Sequence, residues 1–287
     1  MNKKDIKNDI KNNSLHAKKY YGQNFLSDEK ILKEIIDKSD LTKDDFVIEI
    51  GPGLGSLTTH LIKKAGFVLC YEIDSDLIPI LKNNISFNNN YEIINEDVLK
   101  RDVNNDIEKY AKNYKNIYVI ANIPYYITTP IILGLLSQTD KIKIYVLMVQ
   151  KEVADRICSE PKKKDYNSLS IAICYKCERK ILINVPKEAF TPVPNVDSAV
   201  IELKLFDAIP FKAKNEELFF KLIRFSFEMR RKTLVNNLSN HFDKNLVLNA
   251  LEKLTLSKTV RSEELSIKNF VDLADFINDN LEKKIWR

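Results

Sequence analysis

The sequence predicts an α/β fold, a Rossmann-like sheet of seven strands followed by a small all-α C-terminal domain. Three observations carry this expectation. Apolar runs of strand length alternate with segments of helical periodicity from Phe46 to Val149. The glycine turn Gly51-Pro52-Gly53-Leu54-Gly55 joins the first of those runs to a helix. Beyond Leu205 the strand pattern stops, and apolar residues recur at helical spacing only.

Taken in order, residues 1–19 are polar and without periodicity, and read as a flexible basic arm. Tyr20 to Leu26 then brings three aromatics and Gly22, read from the residues alone either as a plug packing the next helix against the core or as a functional segment. Ser27 is the expected N-cap of that helix, whose Ile31, Leu32, Ile35 and Ile36 share a face. Phe46–Ile50 is a buried parallel strand, and the glycine turn leads into a helix through Leu57, Leu61 and Ile62. A second strand, Phe67–Ile73, carries Glu72 and is followed by Asp74. A third, Tyr91–Asn95, is closed by Glu96-Asp97, and a fourth, Ile117–Ala121, delivers Asn122. After a helix over Thr129–Ser137 come a fifth strand, Ile142–Val149, and helices beginning at Lys151 and Ser168. Two further strands, Ile181–Val185 and Ala199–Leu205, suggest an antiparallel pair at one sheet edge.

At 287 residues, 44% hydrophobic and 30% charged, the chain can bury a full core. No window approaches about eighteen consecutive apolar residues, and the N-terminus lacks the apolar core of a secretory signal. A cytoplasmic protein without a membrane partner is expected. Cys70, Cys158, Cys174 and Cys177 lie at irregular spacings that make no disulfide framework, and His16, His60 and His241 are scattered, so no metal site is assigned. The net charge of +5 is uneven: residues 1–20 and 208–287 each contribute about +4, while 21–207 come out near −3. Basic ends suit a polyanion, although a run such as Arg224, Arg230, Arg231 and Lys232 is by default a solvated helix face.

Parallel strands place their C-terminal ends on one edge of a sheet, so Gly51, Glu72, Asp97 and Asn122 should meet at one crevice. The spacing Gly51-x-Gly53-x-Gly55 departs from the G-x-G-x-x-G of a dinucleotide site. With acids ending the second and third strands it suits S-adenosylmethionine, whose product is S-adenosylhomocysteine. Its amino-acid end would meet the glycine loop, its ribose Glu72 and its adenine Asp97. Asn122-Ile123-Pro124-Tyr125 then has the parts to grip an adenine amine, with the Asn122 amide oxygen and the Ile123 carbonyl as acceptors. Pro124 restricts the turn, Tyr125 offers a stacking face, and Phe190 a second one. An isolated N-x-P-Y would be a strand ending in a proline turn.

As a set these segments resemble the ribosomal RNA adenine dimethyltransferases. The resemblance rests on Gly22-Gln23-Asn24-Phe25-Leu26, Ile48 to Gly55, Glu72, Glu96-Asp97, Asn122 to Tyr125 and Phe190 to Ser198, and runs from about Lys19 to Asn237. Thr129-Pro130, Met148 to Ala154 and Arg230 to Leu234 are similar to its small-subunit (KsgA) branch. The resemblance implies a class I methyltransferase fold, with donor contacts at Asn24, Leu26, Gly51, Gly53, Glu72, Asp97 and Asn122. It turns residues 20–26 from a plug into a cover over the cofactor. It implies RNA contact at Arg224, Arg230, Arg231 and Lys232. The implied substrate is a pair of adjacent adenosines in the 3′-terminal hairpin loop of 16S rRNA, in the assembling 30S subunit; the sequence gives no reason to expect an oligomer, so a monomer is expected. The domains expected are the arm at 1–19, an S-adenosylmethionine-dependent methyltransferase domain at 20–207 and an RNA- or ribosome-binding helical domain at 208–287. Tyr166-Asn167 departs from relatives that carry glycine after the tyrosine, which puts the local turn in question. The alternatives are a resistance-type enzyme of 23S rRNA, a non-catalytic RNA-binding assembly or transcription factor on the same fold, and a nicotinamide oxidoreductase.

Overall fold

Strands that are apolar on both faces satisfy their backbone only by pairing side by side beneath helices, and the chain does this. Its structure, a computed structural model, describes residues 3–12 and 24–285. From the N-terminus run α1 (Lys3–Asn12), β1 (Phe25–Leu26), α2 (Glu29–Lys38), β2 (Asp45–Ile50), α3 (Thr58–Lys64), β3 (Phe67–Tyr71) and α4 (Ile78–Ile85). Next come β4 (Tyr91–Ile94), α5 (Val103–Tyr110), β5 (Asn116–Asn122), α6 (Thr128–Gln138), β6 (Ile144–Gln150) and α7 (Lys151–Ile157). The chain continues through α8 (Ser168–Lys176), β7 (Cys177–Val185), β8 (Phe190–Thr191) and β9 (Ser198–Leu205). It ends in α9 (Glu216–Ser226), α10 (Leu234–Leu238), α11 (Lys244–Lys253) and α12 (Ile267–Ile285).

Two compact units result, Met1–Ala154 with Glu178–Leu205, and Asp155–Cys177 with Phe206–Arg287. The first holds a seven-stranded sheet in the order β4-β3-β2-β5-β6-β9-β7. Strands β2 to β6 pair in parallel. Strand β9 runs antiparallel to β6, with Ser198 opposite Gln150. The chain winds outward from β2 to β4 and then returns to lay β5 on the other side of β2. That reversal opens a crevice at the C-terminal ends of β2 and β5, where Gly51 and Asn122 stand. A separate pair, β1 with β8, sets Phe25 opposite Thr191 and Leu26 opposite Phe190.

Residues 3–12 of the expected flexible arm are helical. Ile6 is fully buried among Phe25, Leu54, Leu77 and Ile80, so one docked side chain supplies what periodicity lacked. The remainder of the arm with His16, the segment Tyr20–Gln23, and Trp286 lie outside the described residues. Asp28, not Ser27, caps α2: its carboxylate accepts from Lys30 N at 2.9 Å. The Ser27 hydroxyl donates instead to the Ala189 carbonyl at 2.9 Å, which ties the β1–β8 pair shut.

The second unit has its own apolar core, in which Tyr166, Ile171 and Tyr175 pack with residues of α9 to α12. Residues 155–177, expected within the methyltransferase domain, therefore fold with the C-terminal helices. Tyr175 is the reason: its ring lies 4.4 Å from that of Phe219, and its hydroxyl accepts from Ala213 N at 3.1 Å. Asn167 needs no glycine-like backbone. It is extended, at φ −155°, and caps α8 in a reciprocal box with Ser170. The four cysteines are free thiols. Among the described residues no helix is long and apolar enough to cross a membrane.

Candidate active site

A cavity of about 250 Å³ opens at the crevice of the first unit. Asn24, Leu26, Gly51, Gly53, Glu72, Asp97 and Asn122 all line it, together with Ile123, Pro124 and Tyr125. Five stretches of chain thus converge as the sheet topology requires.

The glycine loop is held from below. Gly51, Gly53 and Gly55 have φ of +66°, +59° and +87°, which L side chains rarely adopt. Gly51 N donates to the Tyr71 carbonyl at 2.9 Å, and Gly53 N to Glu72 Oε2 at 3.0 Å. A side chain at Gly53 would stand 3.0 Å from the Phe25 ring, so loop and cover meet there in contact. Glu72 Oε1 accepts from Asp74 N at 2.9 Å. With the backbone of Ile73 as a third donor, the carboxylate is held in place and still has acceptor capacity for a ribose hydroxyl. Burial pushes the Glu72 carboxyl above its ordinary range, against the pull of those backbone donors. Asp97 spends Oδ1 on Leu99 N at 3.0 Å and retains Oδ2 as an acceptor.

Two further features shape the cavity, of which the first lies outside the sequence expectation. Ile73 and Leu99, one and two residues beyond the strand-end acids Glu72 and Asp97, are 46% and 38% exposed and give the cavity apolar lining. An apolar residue just beyond each strand-end acid was the available signal. Glu49, fully enclosed beneath the loop, accepts from the Cys70 thiol at 3.8 Å. Burial pushes its carboxyl to about 8, and the charge of Glu72 adds to this. Between its ordinary 4.5 and about 8, the folded chain therefore holds a proton that the unfolded chain has lost. Stability should fall as pH rises through that window, by at most about 1.4 kcal/mol per pH unit from this group. Glu49→Gln should flatten the profile in urea unfolding measured from pH 4.5 to 9. Parallel profiles would overturn the assignment.

Asn122 ends β5 with its amide oriented. Nδ2 donates to the Asn24 carbonyl at 3.0 Å, which leaves Oδ1 as the acceptor. Ile123 is buried, its N–H donating to the Met148 carbonyl at 3.2 Å across the β5–β6 junction. Pro124 starts a single 3₁₀ turn, Tyr125–Ile127. The Tyr125 hydroxyl shares a 2.7 Å hydrogen bond with Ser198.

Phe190 is not brought to the cavity. It has no exposed surface and packs in the sheet core, because β8 turns it inward opposite Leu26. In this structure it offers no face to a base. Arg224, Arg230, Arg231 and Lys232 are exposed on the second unit. The Arg230 guanidinium donates to the Lys164 carbonyl at 2.7 Å, and that of Arg224 lies over the Phe225 ring.

Residues lining the cavity include four acids, Glu49, Glu72, Glu96 and Asp97, and no Lys, Arg or His among those described. A pyrophosphate would meet carboxyl groups and no cationic side chain there, whereas a cationic nucleoside without phosphate fits.

Comparison with known proteins agrees. The family model for ribosomal RNA adenine dimethylase matches residues 14–279. The chain is 48% identical to the ribosomal RNA small subunit methyltransferase A of Lachnoclostridium phytofermentans, over 92% of each chain. It is 46% identical to the protein of the same name from Bacillus pumilus, over 95% of each. Among solved structures, a dimethyladenosine transferase from Plasmodium falciparum superposes with a TM-score of 0.74 at 29% identity, covering 87% of this chain and 95% of that one. The 23S rRNA methyltransferase ErmE shares the fold, with a TM-score of 0.67 at 24% identity over 89% of this chain and 100% of its own.

Proposed function

The chain belongs to the ribosomal RNA adenine dimethylase family, and from that premise we propose that it uses S-adenosylmethionine to dimethylate two adjacent adenosines of 16S rRNA. The target is the 3′-terminal hairpin loop in the assembling 30S subunit, met in the cytoplasm by a monomer.

One observation carries the reading. The amide of Asn122, pinned through Nδ2 to Asn24, stands in the same cavity as the glycine loop and four acids. An adenine amine is a weak nucleophile because its lone pair is delocalised into the ring. Bonds from its protons to Asn122 Oδ1 and the Ile123 carbonyl would favour a pyramidal nitrogen and aim the lone pair along the line of attack. S-adenosylmethionine, when bound, supplies an electrophilic methyl on a cationic sulfur. Held there, the donor would give its methyl to the amine lone pair, the C–S electron pair would stay on sulfur and the amine proton would leave to water. Holding both partners in line accounts for up to roughly 7–11 kcal/mol of the barrier, so no dedicated base is required. Tyr125 stacks the base, and Glu72, Asp97 and the glycine loop hold the donor.

Exposed Arg224, Arg231 and Lys232 supply phosphate contacts, which makes subunit binding salt-dependent. Incubation of the full chain with labelled donor and hypomethylated 30S or 50S subunits, followed by nucleoside mass spectrometry, tests the reading. Dimethyladenosine should form in 30S. Label confined to 50S would overturn it in favour of the resistance-type activity.

A further inference from the structure

We infer that Ser198 is a positioning residue for methyl transfer, one that fixes where the Tyr125 ring stands in the cavity and so governs the second methylation more than the first. This rests on the functional reading above.

The argument starts from strand direction. In the parallel strands the last residue stands at the cavity edge, but β9 runs antiparallel to β6, so its first residue is the one at that edge. That residue is Ser198, fully buried and opposite Gln150, the last residue of β6. Its position is over-determined. The register from Gln150↔Ser198 to Ile144↔Lys204 is unbroken. The preceding Asp197 accepts from Lys151 N through its carbonyl and from Lys187 N through its carboxylate, both at 3.0 Å. Tyr125 by contrast sits in a single 3₁₀ turn, half-buried, with its ring on the cavity. The 2.7 Å bond between the two hydroxyls ties the mobile kind of element to the rigid kind. A ring held at its hydroxyl as well as at its backbone cannot swing about Cα–Cβ, the motion that would carry it away from the base, although this bond leaves rotation about Cβ–Cγ free.

The two methylations place different demands on that ring. Unmodified adenine has two amine protons for two acceptors, Asn122 Oδ1 and the Ile123 carbonyl. After one transfer a single N–H remains, and one acceptor has lost its partner. Orientation of the base then depends more on the face it stacks against. In the second transfer the nitrogen again forms N–C as C–S breaks, with the pair staying on sulfur and the last N–H proton passing to water. A ring free to swing away from the base would cost this step more than the first.

The test is a double-mutant cycle on the full chain with hypomethylated 30S subunits. Single-turnover rates and the ratio of mono- to dimethyladenosine are measured for wild type, Ser198→Ala, Tyr125→Phe and the double variant. Each single change should slow the second transfer about five- to tenfold, the range of one neutral hydrogen bond, and accumulate monomethyladenosine. Donor affinity should stay within about twofold, and the double variant should be no slower than either single one. A purely structural Ser198 would instead give multiplying effects, and that result overturns the inference. Tyr125→Phe removes the same bond without touching the sheet, so it decides the matter even if Ser198→Ala does not fold; a wild-type product ratio in Tyr125→Phe refutes the pair. A wild type that makes no dimethyladenosine refutes the functional reading, and the pair with it.

Discussion

Alanine in place of Asn122 should lower methyl transfer by about 10²–10³-fold, the cost seen when one preorganised polar contact is removed from a reacting centre. Two losses combine. The amine loses an acceptor, and the Asn24 carbonyl, which receives Nδ2 at 3.0 Å, loses its donor. The second loss also loosens the cover, because Asn24 precedes the strand that pairs with β8. Asn122→Asp should fare little better. It keeps an acceptor but sets a carboxylate oxygen against that carbonyl, where neither group has a proton to share. Filter binding to 30S should remain within about twofold of wild type, since RNA affinity comes mainly from phosphate contacts. Unchanged turnover in the alanine variant would remove Asn122 from the mechanism.

The largest expected effect on stability lies at the opposite edge of the sheet. A Cβ built on Gly66 would stand 2.3 Å from the Lys43 carbonyl oxygen and 2.5 Å from the Tyr114 ring. Neither can yield. The Lys43 side chain is bonded to the Ile62 and Ala65 carbonyls, and Tyr114 packs on Phe46 in the core. Asn90 adds bonds to the carbonyls of Ile62, Ala65 and Gly66 itself. Gly66→Ala should therefore cost about 2–4 kcal/mol, read as a lower urea midpoint. Gly66 precedes β3 at its N-terminal end, away from the cavity, so the transfer rate per folded molecule should not change. An unaltered midpoint would contradict this account.

Gly66 illustrates what sequence can and cannot carry. Gly51, Gly53 and Gly55 were legible because three glycines between a strand and a helix imply a turn and a ligand. Gly66 met no such pattern, since its constraint comes from Lys43 and Tyr114, both distant in sequence. The core strands were legible as apolar runs, and their ends as acids and an amide, because a parallel sheet puts those ends together whatever the loops do. Helix α5 passed unread. Its buried residues are Val103, Asp106 and Ile107, and Asp106, bonded to Arg101 and Tyr71, looks like a surface acid in sequence. The division of the chain at 155–177 was equally hidden, since the periodicity of α8 shows that it packs but not which core receives it. Phe190 shows the limit for site residues. Its place beside the proline-rich loop was readable, but the direction of its side chain depended on β8 finding β1.

That pair of two-residue strands has a kinetic meaning. Ser27 and Ala189, which bolt it together, are 162 positions apart, and two residues on each side release little energy to offset closing such a loop. The pair cannot begin folding; it closes only when the sheet between has already brought its ends within reach. Phe25 and Leu26, which complete the cavity wall, therefore close after that sheet has formed. A chain short of that step would keep the glycine loop, the strand-end acids and Asn122 but would lack the wall that Asn24, Phe25 and Leu26 supply.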